Sequence, residues 1–545
     1  MYGDLEFGSI PRLVRTAAER YGDREAVVEG RSRTGYRQLG ERVERAAAAC
    51  LAAGVEPSDR VAVWAPNTAD WIVCALGAVT AGAVLVPVNT RFKGAEAAHV
   101  LARTRAKLLF VTGTFLGTSY VATLRRAAGT NGGTGPGAGP LPGLPHLCRA
   151  VVLADAAPAS AGFLTWKEFL AAGETVSPRE VRARADAVRA DAPSDILFTS
   201  GTTGEPKGAV ITHAQTLRAF GTWSELAGLR EGDRYLIVNP FFHTFGYKAG
   251  IVAALMRGAT MVPLPVFTPE AALALIAAER ITVLPGPPTL HQALLDHPLR
   301  GAYDLSSLRV VVTGAATVPR RLVERLRDEL GIPVVLTAYG MSEATGLVTM
   351  CRRGDSAEVV AGTSGRAVPG TEVKVVGADG AARPAGEPGE VLVRGHQVMS
   401  AYFEDPAATA RAVDSGGWLH TGDVGVLDGE GNLRITDRLK DMFIVGGFNA
   451  FPAEIEQLLA RHPGVAEAAV VGVPDARLGE VGRAFVVRSA GAAAAGLTAE
   501  GLIGWARREM ANYKVPREVE FVAELPRNAA GKVLKGVLRR RCSCR

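Results

Sequence analysis

The sequence predicts an α/β protein with a large N-terminal domain of layered α/β sheets plus a β unit, and a small mobile α+β C-terminal domain. Three observations carry this. Short β-branched apolar runs bounded by Gly or Pro alternate with helical segments as far as residue 340. The texture shifts near residue 360 to short strands and turns, and near residue 453 to a new α+β pattern. At 545 residues the chain exceeds what one compact core serves, so two to four folding units are expected.

The strands are predicted in chain order at RVAVWAP (60–66), AKLLFVTG (106–113), RAVVLAD (149–155), RYLIVNP (234–240), ATMVPLP (259–265), ITVLPGPP (281–288), LRVVVTGAA (308–316) and IPVVLTAYG (332–340). Such runs suit strands buried on both faces, and PRRLVERLRDEL (319–330) is a helix between them. Ligands of layered sheets sit in loops at the carboxyl ends of strands. The uncharged stretch Trp71–Val88 is interrupted by two glycines and a proline, and reads as a buried helix running into a strand rather than a membrane span. GTNGGTGPGAGPLPGLP (129–145) is a Gly/Pro-rich surface insertion. TEVKVVGADGAARPAGEPGEVLVRG (371–395) is an antiparallel β unit, and AEIEQLLARHPGVAEAAVVGVPD opens the last α+β pattern at residue 453. A boundary near DRLKD (437–441) divides the chain into domains 1–437 and 438–545.

Composition narrows the function. Apolar residues make up 48% and charged residues 21%, a globular balance, and a net charge of +6 over this length gives no footprint for nucleic acid. The six cysteines follow no ligand-like rhythm and read as reduced thiols. Asp4 and Glu6 replace the apolar core of a signal peptide, so a cytoplasmic location is expected.

The chemistry concentrates in TSGTTGEPKG (199–208). Glycines free backbone N–H groups into an anion-binding concavity, the hydroxyls add donors and Lys207 adds charge. It is not a Walker A loop, because Lys207 is followed by Gly208 rather than Ser or Thr. Glu343 offers the hard oxygen that Mg²⁺ prefers, Asp423 two oxygens for a pair of hydroxyls, and Tyr339 a flat face.

LFTSGTTGEPKGAVITH (197–213) resembles the phosphate-gripping signature of the adenylate-forming superfamily: acyl-CoA synthetases, peptide-synthetase adenylation domains and luciferases. Five further family motifs follow in order: TGAATVP (313–319), AYGMSEATG (338–346), GWLHTGD (417–423), DRLKDMFIVGGFN (437–449) and PRNAAGKVLK (526–535). The closest likeness is to fatty-acid and actinobacterial ring-degradation acyl-CoA ligases.

This resemblance implies an ATP-dependent acid–CoA ligase. Mg-ATP and a carboxylic acid give acyl-AMP and pyrophosphate, then coenzyme A takes the acyl group and AMP leaves. Thr199, Ser200, Gly201, Thr202, Thr203, Gly204 and Lys207 would hold phosphate, and Glu343 the Mg²⁺. Gly314, Ala315, Ala316, Tyr339, Gly340 and Ser342 would surround adenine; Asp423 and Arg438 would take the ribose. Lys532 would be the catalytic lysine, Lys440 the hinge, and Gly446 and Gly447 the coenzyme A side. In NPFFHTFGYKAG (239–250), His243 would stand beside the acid with Phe245, Gly246 and Lys248. Aromatic rings with one charge there suit an acid with a second polar group, or a ring, better than a simple long alkyl chain, and the acid is expected to be cyclic, aromatic or fatty. A homodimer is the expected assembly, with neither nucleic acid nor a membrane span. The motifs of the first half-reaction leave the acceptor open between coenzyme A and an amine or carrier, or nitrite activation for diazotisation.

Overall fold

The structure, a computed structural model, describes residues 3–129, 141–153, 162–199, 206–314, 318–438, 441–445, 448–475, 478–491, 496–510, 512–528 and 532–543. The phosphate-loop tip Ser200–Glu205, Ala315, Ala316, Lys440, Gly446 and Gly447 lie outside these residues, as does most of the Gly/Pro-rich insertion.

Seven of the eight apolar runs form strands in two sheets. The first sheet has eight strands in the order 401–402, 207–212, 193–199, 84–87, 60–64, 108–112, 149–153 and 163–165. From Pro193–Thr199 onward the neighbours run parallel, and Lys207–Thr212 is antiparallel to both of its neighbours. The second consists of two four-stranded ladders, 32–35/25–29/260–263/234–237 and 310–314/334–339/349–350/366–367. Single parallel bridges from Val283 to Tyr235 and to Val310 join them.

The predicted strand at 281–288 is thereby reduced to a seam. Leu284 N–H still donates to the Val310 carbonyl at 2.9 Å and Gly286 N–H to Val312 at 3.0 Å. Pro285, Pro287 and Pro288 have no N–H to continue the ladder, and Pro288 starts the helix Pro288–Leu295. The stretch 71–88 folds as expected into the buried helix Ala69–Thr80 and the strand Val84–Pro87. Thr68 caps that helix, accepting from Trp71 N–H at 3.2 Å. Gly77 lets it press on the helix Tyr36–Ala52: a Cβ there would lie 2.6 Å from the Ala46 Cβ. Among the described residues no helix is long and apolar enough to cross a membrane.

A four-stranded antiparallel sheet follows, 371–376/389–395/419–427/433–438, as the β texture predicts. The last sheet pairs 448–450, 443–445, 479–488 and 465–475, with 518–521 parallel to 479–488. The helices Pro452–Leu459 and Ala499–Glu509 share its core through Ile455, Leu459, Leu502 and Ala506.

The second sheet is polar in the functional sense. At its amino ends the buried Asp233 accepts from Arg309 Nε at 2.9 Å, Thr282 Oγ1 at 2.8 Å and Arg230 N–H at 2.8 Å. That staple binds three successive chain segments, while the carboxyl ends open into the loops that hold the site motifs.

Three histidines are held neutral by burial: the core rings His213, pushed down to about 3, and His291, pushed down to about 4, and the half-buried His243, also pushed down to about 4. The unfolded chain protonates these rings near 6.5, so between 6.5 and 4 it binds more protons than the folded chain, and stability falls as pH drops through that window. Three such rings together give a slope of up to about 4 kcal/mol per pH unit. Urea midpoints measured at pH 7 and pH 5 should therefore fall steeply on acidification; an unchanged midpoint contradicts the burial of these rings.

Candidate active site

The site grows from the hairpin formed by Pro193–Thr199 and Lys207–Thr212. Thr199 pairs with Lys207 across it, so the end of the ladder fixes both flanks of the TSGTTGEPK loop. Thr199 Oγ1 donates to Glu343 Oε1 at 3.1 Å. Glu343 stands on a single 3₁₀ turn, Ser342–Ala344, ended by Thr345 at φ +55°. Gly340 permits the turn to fold back, since a Cβ there would lie 2.2 Å from the Gly346 carbonyl.

Tyr402 lies outside every motif legible in the sequence. Its hydroxyl donates to the same Glu343 Oε1 at 2.9 Å, and Lys207 Nζ lies 5.3 Å from its ring centroid. Tyr402 is held by the strand Ala401–Tyr402, which pairs with Ala209 and Val210, and its N–H donates to Thr409 Oγ1 at 2.9 Å. The one available signal was Asp405-Pro406, a helix start, where Asp405 caps Pro406–Ala412. Burial and the Glu343 carboxylate raise the Tyr402 pKa, so the phenol stays protonated and remains a donor. Met399 N–H closes the arrangement on the Glu343 carbonyl at 2.8 Å.

On the nucleotide side, Tyr339 ends the strand Val334–Tyr339 and donates its hydroxyl to Asp423 Oδ2 at 2.5 Å. Asp423 is 3% exposed and pairs along the backbone with Arg438. Gly314 pairs with Ala338, and a Cβ on it would stand 2.5 Å from the Ala338 carbonyl. Ser342 and Glu343 follow directly. The carboxyl ends of two paired strands thus bring together Gly314, Tyr339, Gly340, Ser342 and Glu343, and the Tyr339 hydroxyl ties them to Asp423 on the antiparallel sheet.

The segment expected beside the acid leaves the strand Arg234–Ile237, which the Val283 seam separates from Val310–Gly314. Its turn is tight enough to demand glycine at 246, where a Cβ would meet the Pro240 and Asn239 carbonyls at 2.2 and 2.4 Å. His243 Nδ1 accepts from Phe245 N–H at 3.2 Å, leaving Nε2–H as the donor of the neutral ring. Thr244 packs on Gly346: a Cβ at Gly346 would lie 2.8 Å from the threonine Cβ. The acid-side turn therefore touches the loop that carries Glu343. Phe241 and Tyr247 face inward against Trp71, with ring centroids 5.0 and 5.8 Å away. Lys248, expected beside the acid, directs its ammonium at Asp195 Oδ1, 2.8 Å away, with both side chains fully buried.

Lys532 is exposed on a small hairpin, its N–H donating to Asn528 Oδ1 at 2.9 Å and Asn528 N–H donating to its carbonyl at 2.8 Å. Among the described residues no cluster of three His, Cys, Asp or Glu could cage a metal. A lone, oriented carboxylate fits Mg²⁺, which binds through one or two carboxylates together with substrate phosphates and water.

Removing the Tyr402 hydroxyl with Tyr402→Phe should cost about 1.5 kcal/mol or more, the worth of a hydrogen bond to a charged group. In a double-mutant cycle with Glu343→Gln, read by urea unfolding, the two substitutions should be non-additive. Simple additivity would mean that the contact carries no energy.

The chain is similar to known proteins along nearly its whole length. Residues 14–403 match the family model described as AMP-binding enzyme, and residues 454–532 match the AMP-binding enzyme C-terminal domain. A 3-(7a-methyl-1,5-dioxo-octahydro-1H-inden-4-yl)propanoyl:CoA ligase of Mycobacterium tuberculosis is 50% identical over 539 residues, 99% of each chain. The same-named ligase of Rhodococcus jostii is 49% identical over 97% of this chain and 98% of its own. The solved anthranilate CoA ligase AuaEII, in complex with anthranoyl-AMP, superposes with a TM-score of 0.85 at 27% identity, covering 98% of this chain and 97% of that one. Carrying the family's sequence along nearly its whole length and its fold in both parts, this chain belongs to the AMP-binding, adenylate-forming enzymes.

Proposed function

We infer that the chain is an ATP-dependent acid–CoA ligase and propose that its acid is a fused bicyclic diketone bearing a propanoate arm, or a close relative of it. The half-identity relatives named for that acyl group, matched from end to end, are the observation that carries the acid. Phe245 and the Phe241–Tyr247–Trp71 cluster behind the acid-side turn suit a ring better than an extended alkyl chain.

The chemical problem is to press one anion, the carboxylate, against another, the triphosphate. The hairpin loop 199–207 grips the β- and γ-phosphates with Ser200, Gly201, Thr202, Thr203, Gly204 and Lys207, holding pyrophosphate as it leaves. Glu343, oriented by Thr199 and Tyr402, would hold a Mg²⁺ that screens this charge. Tyr339 lays its ring on adenine opposite Gly314, Ala315 and Ala316. Asp423 and Arg438 take the ribose, and the hydroxyl contact of Tyr339 with Asp423 keeps ring and carboxylate in register. His243, neutral above about pH 4, presents Nε2–H to the acid without adding charge. Lys532 bridges the carboxylate and α-phosphate oxygens. Domain 438–545 then turns about Lys440, bringing Gly446 and Gly447 to the thiol arm of coenzyme A.

Acid-dependent pyrophosphate release, with and without coenzyme A and with products followed by mass, tests the reading. The panel is the bicyclic dioxo-propanoic acid, an arylpropenoic acid and a medium-chain fatty acid. Highest kcat/KM for the bicycle with an acyl-CoA product is expected; AMP formation indifferent to coenzyme A would shift the assignment to an amine or carrier acceptor. Lys532→Ala should lower pyrophosphate release by about 10²–10³-fold, the scale of removing one preorganised charge donor. Lys440→Pro should spare pyrophosphate release and lose acyl-CoA formation, while equal loss of both would rule out the hinge.

A further inference from the structure

The acid-side turn carries one feature that adenylation chemistry leaves unexplained. Lys248 and Asp195 form an ion pair at 2.8 Å with no exposure on either side chain. Asp195 Oδ2 also accepts from Ser194 Oγ at 2.6 Å, and Ser194 is equally buried. Burial disfavours the charged form of Lys248, and Asp195 opposes that by favouring it. The surroundings are apolar or neutral. Tyr247 OH is buried without a hydrogen-bond partner, and His213, a ring that feels the Lys248 charge, is held uncharged by burial with Nδ1 accepting from Ile10 N–H at 3.3 Å.

Such a pair is a poor way to gain stability, since well-packed apolar replacements of similar volume are often neutral or stabilising. Its placement is more informative. Asp195 lies on the strand Pro193–Thr199, four residues before the threonine that holds Glu343 and flanks the phosphate loop. Lys248 lies five residues after His243, inside Tyr247–Val252, a π-helical turn. A π-turn inserts one residue per turn into a helix, a costly irregularity that concentrates at functional sites. Here the irregular turn holds the residue that reaches across to the other sheet. The two partners belong to the two segments that must meet at the reacting atoms, one leading to the phosphates and one to the acid.

We propose that the Lys248–Asp195 pair is a positioning strut, fixing the acid-side turn with His243 and Phe245 at a set distance from the strand that enters the phosphate loop. Neither residue touches a reactant. The strut acts by limiting how far the bound carboxylate can stray from the α-phosphate, a distance on which rate depends steeply: misplacement by about 1 Å can cost on the order of 10²-fold. This inference rests on the acid-ligase reading above and adds to it two residues on the far side of the acid-side wall.

The test replaces the pair as a unit. Asp195→Leu with Lys248→Met leaves no uncompensated charge, so the double variant should keep the wild-type unfolding temperature or exceed it. Its kcat/KM for the acid in pyrophosphate release should nevertheless fall by about 30-fold or more, while ATP affinity, measured by calorimetry without acid, stays within about twofold. Asp195→Asn is the second variant. It keeps the shape of the partner, and should show the same split between acid and ATP with a smaller kinetic loss. A folded double variant with wild-type kcat/KM overturns the proposal, as does an equal loss of acid and ATP binding. Failure of both variants to fold would assign the pair to stability alone and overturn it too. Should the wild-type chain release no pyrophosphate with any acid of the panel, the ligase reading itself fails, which is a different result from an active wild type matched by its double variant.

Discussion

The site depends on one carboxylate oxygen. Glu343 Oε1 receives the Thr199 hydroxyl at 3.1 Å and the Tyr402 hydroxyl at 2.9 Å, while the Glu343 carbonyl takes Met399 N–H at 2.8 Å. A carboxylate 7% exposed is costly unless its oxygens are hydrogen-bonded, so these contacts are required by the burial. Their consequence is geometric. Three stretches far apart in sequence, the hairpin 193–212, the 339–346 loop and the segment 399–403, are referred to a single point. A charge held there needs little reorganisation as bonds change, which is how preorganised sites lower a barrier.

The sheets supply the rest of that rigidity by dividing labour between their two ends. Asp233 draws Arg309, Thr282 and Arg230 together at the amino ends of the second sheet, away from every motif residue. At the carboxyl ends the backbone is left to the glycines. Gly246, Gly314 and Gly340 each stand where a Cβ would meet a carbonyl oxygen at 2.2 to 2.5 Å. The glycines of these motifs thus permit close approach rather than motion, and the loops they shape are packed to contact distance.

The parts legible in the sequence were those whose physics is local. Strands buried on both faces announce themselves as continuous β-branched runs, and seven of eight did so. The eighth, 281–288, looked alike in composition, but its prolines withdraw the donors a ladder needs, leaving a one-residue seam. The nucleotide motifs were legible because each packs its polar groups into a few consecutive residues. Tyr402 was not: it is a lone tyrosine in SAYFEDP, and only pairing with the strand Lys207–Thr212 points it at Glu343. Nor could the sequence show that Lys248 faces Asp195 and not solvent or acid, because that choice is made by the irregular turn 247–252.

This asymmetry follows from what each half of the site must recognise. A nucleotide brings phosphates, a ribose and a base in fixed relation, and polar side chains at fixed spacing can read it. An organic acid offers one carboxylate and a shape. Shape has to be read by apolar residues, and on this side those residues also build the core: Phe241 and Tyr247, fully buried on Trp71, belong to the same packed cluster as the helix 69–80 and the strand 234–237. Substrate preference on that side is therefore a property of packing, spread over segments that no short motif contains. A buried charge pair between those segments fixes their separation, and it can do so only because the surrounding core is dry enough to hold Lys248 to a single partner.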